Sequence, residues 1–351
     1  PVTTVGVTTS DEGTDENGEA GASSESSSEG EAESSSSSGG EVEPQSYEHI
    51  AIVGITPGLA DLGGGVWALN ESAMAEIGNA FYADHGDDYE FLVVYTEGEL
   101  QDIGSFAWAV QYESTGIGLD GYSPGATPAA VGSAGRLLQI NMMNAPAVYG
   151  DPHDASIAVH ELMHHWSAFI ELPGTPAPAF LLDDSWAHWN IHTNTGGPSA
   201  TGYGDLVDLG GGQFQFTVMY PLQVSPLELY LAGWLPPEAV PPMFYVRDAS
   251  GYEPAQPPFD GPWRQSSYCL DATFSGTRVD FTIADVVAAN GARTPAFGTA
   301  PDHYRTAFVL VCKDVLACDP AALADTEAQR TAFEVQLPSA TGGRATVDTT
   351  L

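Results

Sequence analysis

Basic residues are scarce in this chain. There are 9 Lys+Arg among 351 residues, Lys313 is the only lysine, and the first cation from the N-terminus is Arg136. Against them stand 47 Asp+Glu, for a formal net charge of -38. This argues against nucleic-acid binding, which needs Lys/Arg clusters to displace counterions from phosphates. It argues equally against docking on an anionic membrane surface. Long apolar runs are missing too, so nothing reads as a bilayer span. Cysteine is limited to Cys269, Cys312 and Cys318. Three thiols allow one disulfide among three pairings, and their spacing makes no zinc knuckle. Cys312 and Cys318 are close enough in sequence to bridge across a strand end. What is present is apolar substance: at 43% hydrophobic and 10% aromatic, the chain can bury a real core.

The charge is unevenly placed. Residues 1–46 hold 11 Asp/Glu, 12 Ser, 7 Gly and no Lys or Arg. Such a segment has little to bury and repels itself, so it reads as a disordered acidic tether. Its acids lack the loop spacing of a calcium site, which leaves Ca²⁺ possible but unsupported. Without the tether's acids, 36 remain against 9 bases, a net of -27 on the globular part. That excess suits a protein working outside the cytosol. The first residue is Pro1 rather than Met, which predicts removal of an N-terminal segment. A Ser/Gly/Glu spacer of this kind resembles that of bacterial surface lipoproteins, and implies a lipid anchor on a residue preceding Pro1.

From residue 47 the texture changes. Strands are predicted at Ile50–Ile55, Glu90–Tyr95, Ser105–Tyr112 and Arg136–Met142, with an amphipathic helix over Ser72–Tyr82. A longer helix is predicted from Asp154 to Ile170. Further on, Gln213–Val218, Met243–Arg247, Thr277–Thr282 and Tyr304–Val311 read as strands. Pro226–Trp234, Ile283–Asn290 and Pro320–Phe333 read as helices. Two units follow from this order, 47–175 and 176–351.

The helix predicted from Asp154 to Ile170 carries Val159-His160-Glu161-Leu162-Met163-His164-His165-Trp166, and within it H-E-x-x-H. On a helix, His160 and His164 lie about 40° apart on one face, so two imidazoles can meet one ion. Glu161 lies about 100° round from His160, too far to ligate that ion easily but able to reach a water beside it. This is the pattern of a zinc site with a general base. By composition alone the motif arises by chance in roughly 1% of chains this long, so its context must decide. Val159, Leu162, Met163, Trp166 and Phe169 coat the other faces, which predicts a buried helix. Buried His and Glu side chains need partners, and a metal supplies them.

The motif resembles that of the zincin metallopeptidases. The preceding order of strand, helix and three strands is similar to the zincin N-terminal subdomain. The resemblance implies an α+β fold, with a twisted mixed sheet packed on a central active-site helix and a mixed C-terminal subdomain supplying the third ligand. It also implies an edge strand that binds substrate backbone by strand addition, with Ser105–Tyr112 and Arg136–Met142 as candidates. Zincin subtypes place the third ligand differently. Ser167 and Ile170 stand where a metzincin has Gly and His, and Asp184 and His188 do not literally match the thermolysin-like pattern. The third-ligand candidates are His188, Asp184 and Glu228. His188 is favoured because imidazole suits zinc and because Trp186 and Trp189 flank it. His192 is a weaker candidate, and His165 is expected to pack or to support the site.

The wider chain, over most of 47–351, resembles a group of secreted bacterial proteins. The shared features are His160–Trp166, His188-Trp189, Ser225–Leu231, Asn290-Gly291-Ala292-Arg293 and Ala340–Arg344. The resemblance implies a peptidase and names no substrate. Glu228 also reads as an acid favoured by a helix N-terminus, and Arg293 as a capping or ion-pairing residue. The expected function is an exported, monomeric zinc endopeptidase acting on polypeptides. His160, His164 and His188 would be its ligands, Glu161 its base and Tyr230 a candidate oxyanion donor. The alternative is a metal-binding surface or adhesion module with a non-catalytic peptidase-like fold.

Overall fold

The structure, a computed structural model, describes residues 48–119, 122–173, 188–253 and 271–351. The expected tether, Asp184 and Cys269 lie outside them. The chain opens with β1 (Ile50–Gly54), then a hairpin of β2 (Leu59–Gly63) and β3 (Val66–Leu69) turning through Gly63, Gly64 and Gly65, all at positive φ. Helix α1 (Ala73–Asp84) leads to β4 (Phe91–Thr96), β5 (Glu99–Leu100), β6 (Phe106–Ala109) and β7 (Gln139–Met142). Next come α2 (Ser156–Met163), β8 (Thr193–Asn194), β9 (Gly204–Gly210), β10 (Gln213–Val218) and α3 (Pro226–Ala232). The last part holds β11 (Met243–Glu253), β12 (Ala272–Phe281), α4 (Ile283–Asn290), β13 (His303–Cys312), α5 (Pro320–Ala340) and β14 (Thr346–Asp348). The architecture is mixed α+β.

The main sheet runs β1-β13-β4-β7-β6, with β14 pairing the start of β13. Its first four strands are parallel, and β6 closes the edge antiparallel to β7. Both faces are covered, which is why β4 is buried throughout and reads as a near-continuous apolar run rather than alternating. Phe91, Val93 and Tyr95 point into a core shared with Val159 and Trp166 and with Leu229 of α3 and Phe333 of α5. Leu92 and Val94 point the other way, onto Ile77 and Phe81 of α1. Thus α2, which holds the motif, packs beneath the β6–β7 edge.

Strand β13 sits between β1 and β4 although some 200 residues separate it from β4 in sequence (His303 against Phe91). Residues on both sides of the expected boundary at 175 therefore build one sheet. A second sheet, β8-β11-β12-β10-β9, is antiparallel with its own small core around Phe214, Phe244 and Phe274. Strands β2, β3 and β5 form a third. Among the described residues no helix is long and apolar enough to cross a membrane. Cys312, the last residue of β13, is bridged to Cys318.

Several boundaries differ from expectation, strands β11 and β12 among them, which run to Glu253 and from Ala272. Helix α2 ends at Met163 rather than Ile170. The apolar pattern continues because Trp166, Ala168 and Ile170 are all buried, but they are buried in a turning chain: hydrophobicity reported burial, not helix. Helix α5 runs on to Ala340, extended by the buried Leu337 and Ala340. Strands β2 and β9, rich in Gly and Asp and in good part exposed, and the four-residue β3 carry little apolar alternation to predict them.

Candidate metal centre

His160 lies in the last turn of α2, and His164 is its C-cap residue rather than mid-helix. His164 keeps right-handed helical dihedrals (φ -60°, ψ -13°), so the i, i+4 relation survives the helix end. His188 arrives from the segment before β8. The Nε2 atom of His160 is 3.0 Å from that of His164 and 3.1 Å from that of His188. The three imidazoles offer ligand atoms all within 4.8 Å of one another, and together they could hold a metal ion. Tetrahedral zinc–imidazole geometry would separate ligand atoms by about 3.3 Å.

Protonation chemistry supports the fit. His160 Nδ1 is 2.8 Å from the Ala200 carbonyl oxygen, which can only accept, so Nδ1 carries the proton. His164 Nδ1 is likewise 3.3 Å from the Ser167 carbonyl. Each Nε2 is then an unprotonated acceptor, and no imidazole proton lies between the two. Lone pairs at this separation repel, and a shared cation turns the repulsion into attraction. Burial first, then the neighbouring His164 and His188, holds His160 well below the ordinary imidazole range. That keeps the ring in its ligating form.

Glu161 is 3% exposed. Its Oε1 accepts from Ser105 Oγ at 2.6 Å, and its Oε2 is buried without a partner among the described residues. Burial pushes the carboxyl up to about 7, against the Ser105 hydrogen bond that pulls it down. The Glu161 backbone carbonyl accepts from Gln139 Nε2 of β7 at 2.7 Å, tying α2 to the sheet. Ser105 immediately precedes β6, so the edge strand begins against Glu161. Of the two candidate edge segments, β6 lies at the edge and β7 is internal.

Tyr203 was not anticipated. It stands just before β9 at φ 58°, stacks on His160 with ring centroids 4.3 Å apart, and places its hydroxyl 3.0 Å from His160 Nε2. Nothing in Thr201-Gly202-Tyr203-Gly204 has a period that would single it out. Tyr230 is elsewhere: its hydroxyl accepts from the Arg293 backbone N–H at 3.3 Å. His192 shares no helical face with His188. It is hydrogen-bonded to the Tyr252 hydroxyl at 2.7 Å, and burial lowers it to about 4.

Glu228 does not face the three imidazoles as a ligand, because both its oxygens are engaged. Oε1 accepts from Trp189 Nε1, Ser199 Oγ, Thr201 N and Thr201 Oγ1, at 3.2, 2.8, 2.8 and 2.7 Å. Oε2 accepts from Ala200 N at 3.1 Å and Ser225 N at 2.7 Å. With Ser225 it forms a capping box at the start of α3. Arg293 holds the other end of that helix, donating to the Leu231 and Ala232 carbonyls at 3.1 and 2.8 Å. Both residues thus take the helix-terminus roles open to them in the sequence.

His165 turns from the centre to Glu113, 2.7 Å away. Burial raises the Glu113 carboxyl, but the charge and hydrogen bond of His165 outweigh it and bring it down to about 2. Asn290 brackets Glu171 through both its backbone groups, at 3.0 and 2.9 Å, fixing the chain that leaves the centre. In comparisons with family models, curated proteins and solved structures, none matches this chain.

Proposed function

We propose that this chain is an exported zinc-dependent endopeptidase of the zincin kind. The observation that carries the proposal is the buried Glu161 carboxylate, with one oxygen uncommitted, one residue from the first of three converging imidazoles. His160, His164 and His188 would hold the ion, and three nitrogens leave a fourth position open, as catalytic zinc requires. When bound, zinc polarises a carbonyl and makes water more acidic. Glu161, buried with one oxygen uncommitted, would take the proton of the attacking water and return it to the departing amine. The Tyr203 hydroxyl, 3.0 Å from His160 Nε2, would donate to a developing oxyanion. Strand β6, paired on one side only among the described residues, offers an edge along which an extended peptide could add.

The Cys312–Cys318 bridge favours an oxidising compartment, in keeping with export. A metal-binding module without catalysis has no use for an unpaired buried carboxylate, since leaving one costs stability. The test is a purified sample assayed for zinc by elemental analysis and for hydrolysis of a broad peptide library. The proposal expects about one zinc per chain and turnover abolished by chelator and restored by Zn²⁺. Zinc without turnover would select the adhesion-module alternative, and no stoichiometric metal would reject both.

A further inference from the structure

Glu228 has more to do than cap a short helix. A capping box needs one carboxylate oxygen, yet here six donors converge on two oxygens, in a side chain with no exposure. Four of those donors come from 199–201 and one from Trp189. Both segments lead to the metal centre. The Ala200 N–H donates to Glu228 Oε2, while the Ala200 carbonyl accepts from His160 Nδ1. Trp189, which donates from its indole to Glu228 Oε1, is bonded directly to His188. One carboxylate therefore fixes the group that orients the first imidazole and the residue that carries the third.

We propose that Glu228 is the positioning residue of the metal centre, a buried carboxylate that locks the His160 and His188 segments into one ligating geometry. The inference rests on the metal reading given above. Partners one step behind a ligand set ring tautomer and orientation, and their loss commonly costs about 10–100-fold in metal affinity. In this chain the shell is indirect, running through a backbone carbonyl and a chain neighbour. Its anchor is a charged group that accepts strong hydrogen bonds from all sides.

The experiment titrates Zn²⁺ into full-length, metal-free protein against a chromophoric chelator, and measures the melting temperature of the same samples. Three proteins are compared: parent, Glu228→Gln and Arg293→Met. Arg293→Met releases the opposite end of α3 and touches neither 199–201 nor Trp189, so it controls for a loosened helix. Glu228→Gln is expected to weaken Zn²⁺ by about 10–100-fold in molecules that remain folded. Arg293→Met is expected to melt earlier yet bind Zn²⁺ as the parent does. Should Glu228→Gln fail to fold, Thr201→Val and Trp189→Phe each remove one donor and are expected to weaken Zn²⁺ several-fold. Parental affinity in a folded Glu228→Gln, or in both donor variants, would overturn the inference. So would an equal loss in Arg293→Met. A parent that binds no Zn²⁺ overturns the metal reading itself, a result distinct from parental binding with an indifferent Glu228.

Discussion

Two glutamates are buried near the centre, and their surroundings could hardly differ more. Glu161 on α2 has one donor, the Ser105 hydroxyl, and an oxygen with no partner among the described residues. Glu228 on α3 has six donors. A carboxylate whose lone pairs are all used cannot take a proton or a metal without breaking bonds, so it serves as a fixture. One left half-satisfied in an apolar setting has its affinity for a proton raised, and becomes a base suited to neutral pH. The same side chain at similar depth is thus suited to structural or to chemical work according to how many N–H and O–H groups point at it.

The comparison predicts opposite signs. In metal-free protein, Glu228→Gln should lose about 3–5 kcal/mol of stability, because it removes a buried charge and strands several donors. Glu161→Gln should gain, on the order of 1–3 kcal/mol at pH 8, because it removes an ill-satisfied buried carboxylate. Chemical denaturation of the two variants measures both. A loss of similar size in each would dissolve the distinction.

The sign for Glu161 also fixes a pH dependence. Its folded-state pKa of about 7 lies above the ordinary 4.5. Its contribution is therefore fully present below 4.5 and is lost as pH rises toward 7. Glu113 supplies the reverse case. Its pKa is lowered to about 2 beside His165, so its contribution is present above 4.5 and is lost as pH falls toward 2. Glu113→Gln should cost about 1–2 kcal/mol at pH 7, discounted because the carboxylate is partly exposed, and almost nothing near pH 2. Denaturation midpoints of parent and variants from pH 2 to 8 would separate the two slopes.

The smallest effect concerns the one donor that Glu161 has. Ser105→Ala removes it, so the acid limb of the pH–rate profile should move up by a fraction of a unit with little change in melting temperature. An unmoved limb would mean that Glu161 is not the group whose ionisation governs the rate.

The motif made His160, Glu161 and His164 legible, since four-residue spacing survives even at a helix end. His188 was legible through ligand chemistry and its aromatic neighbours, and it lies with the other two imidazoles. The length of α2 was not legible, because Trp166 and Ile170 are as buried outside a helix as they would be inside one. Nor was Tyr203, which reaches His160 through a left-handed backbone turn between glycines. Glu228 carried two possible duties in the sequence, third metal ligand and helix N-terminal acid, and only the second is met. Its place at a helix N-terminus was legible from the dipole preference for an acid, whereas its grip on Thr201 and Trp189 depends on loop paths that no periodicity encodes. Strand β13 shows the same limit for the fold: its apolar run announced a strand, but nothing local placed it between β1 and β4.

The central claim is that Glu161 acts as a base beside a metal rather than as part of the metal's cage. The most direct measurement compares parent and Glu161→Gln for zinc per chain and for peptide hydrolysis on the same preparations. The account predicts about one zinc per chain in both, with hydrolysis falling by about 10²–10⁴-fold in the variant. Hydrolysis at the parental rate with zinc retained, or loss of zinc together with activity, would contradict it.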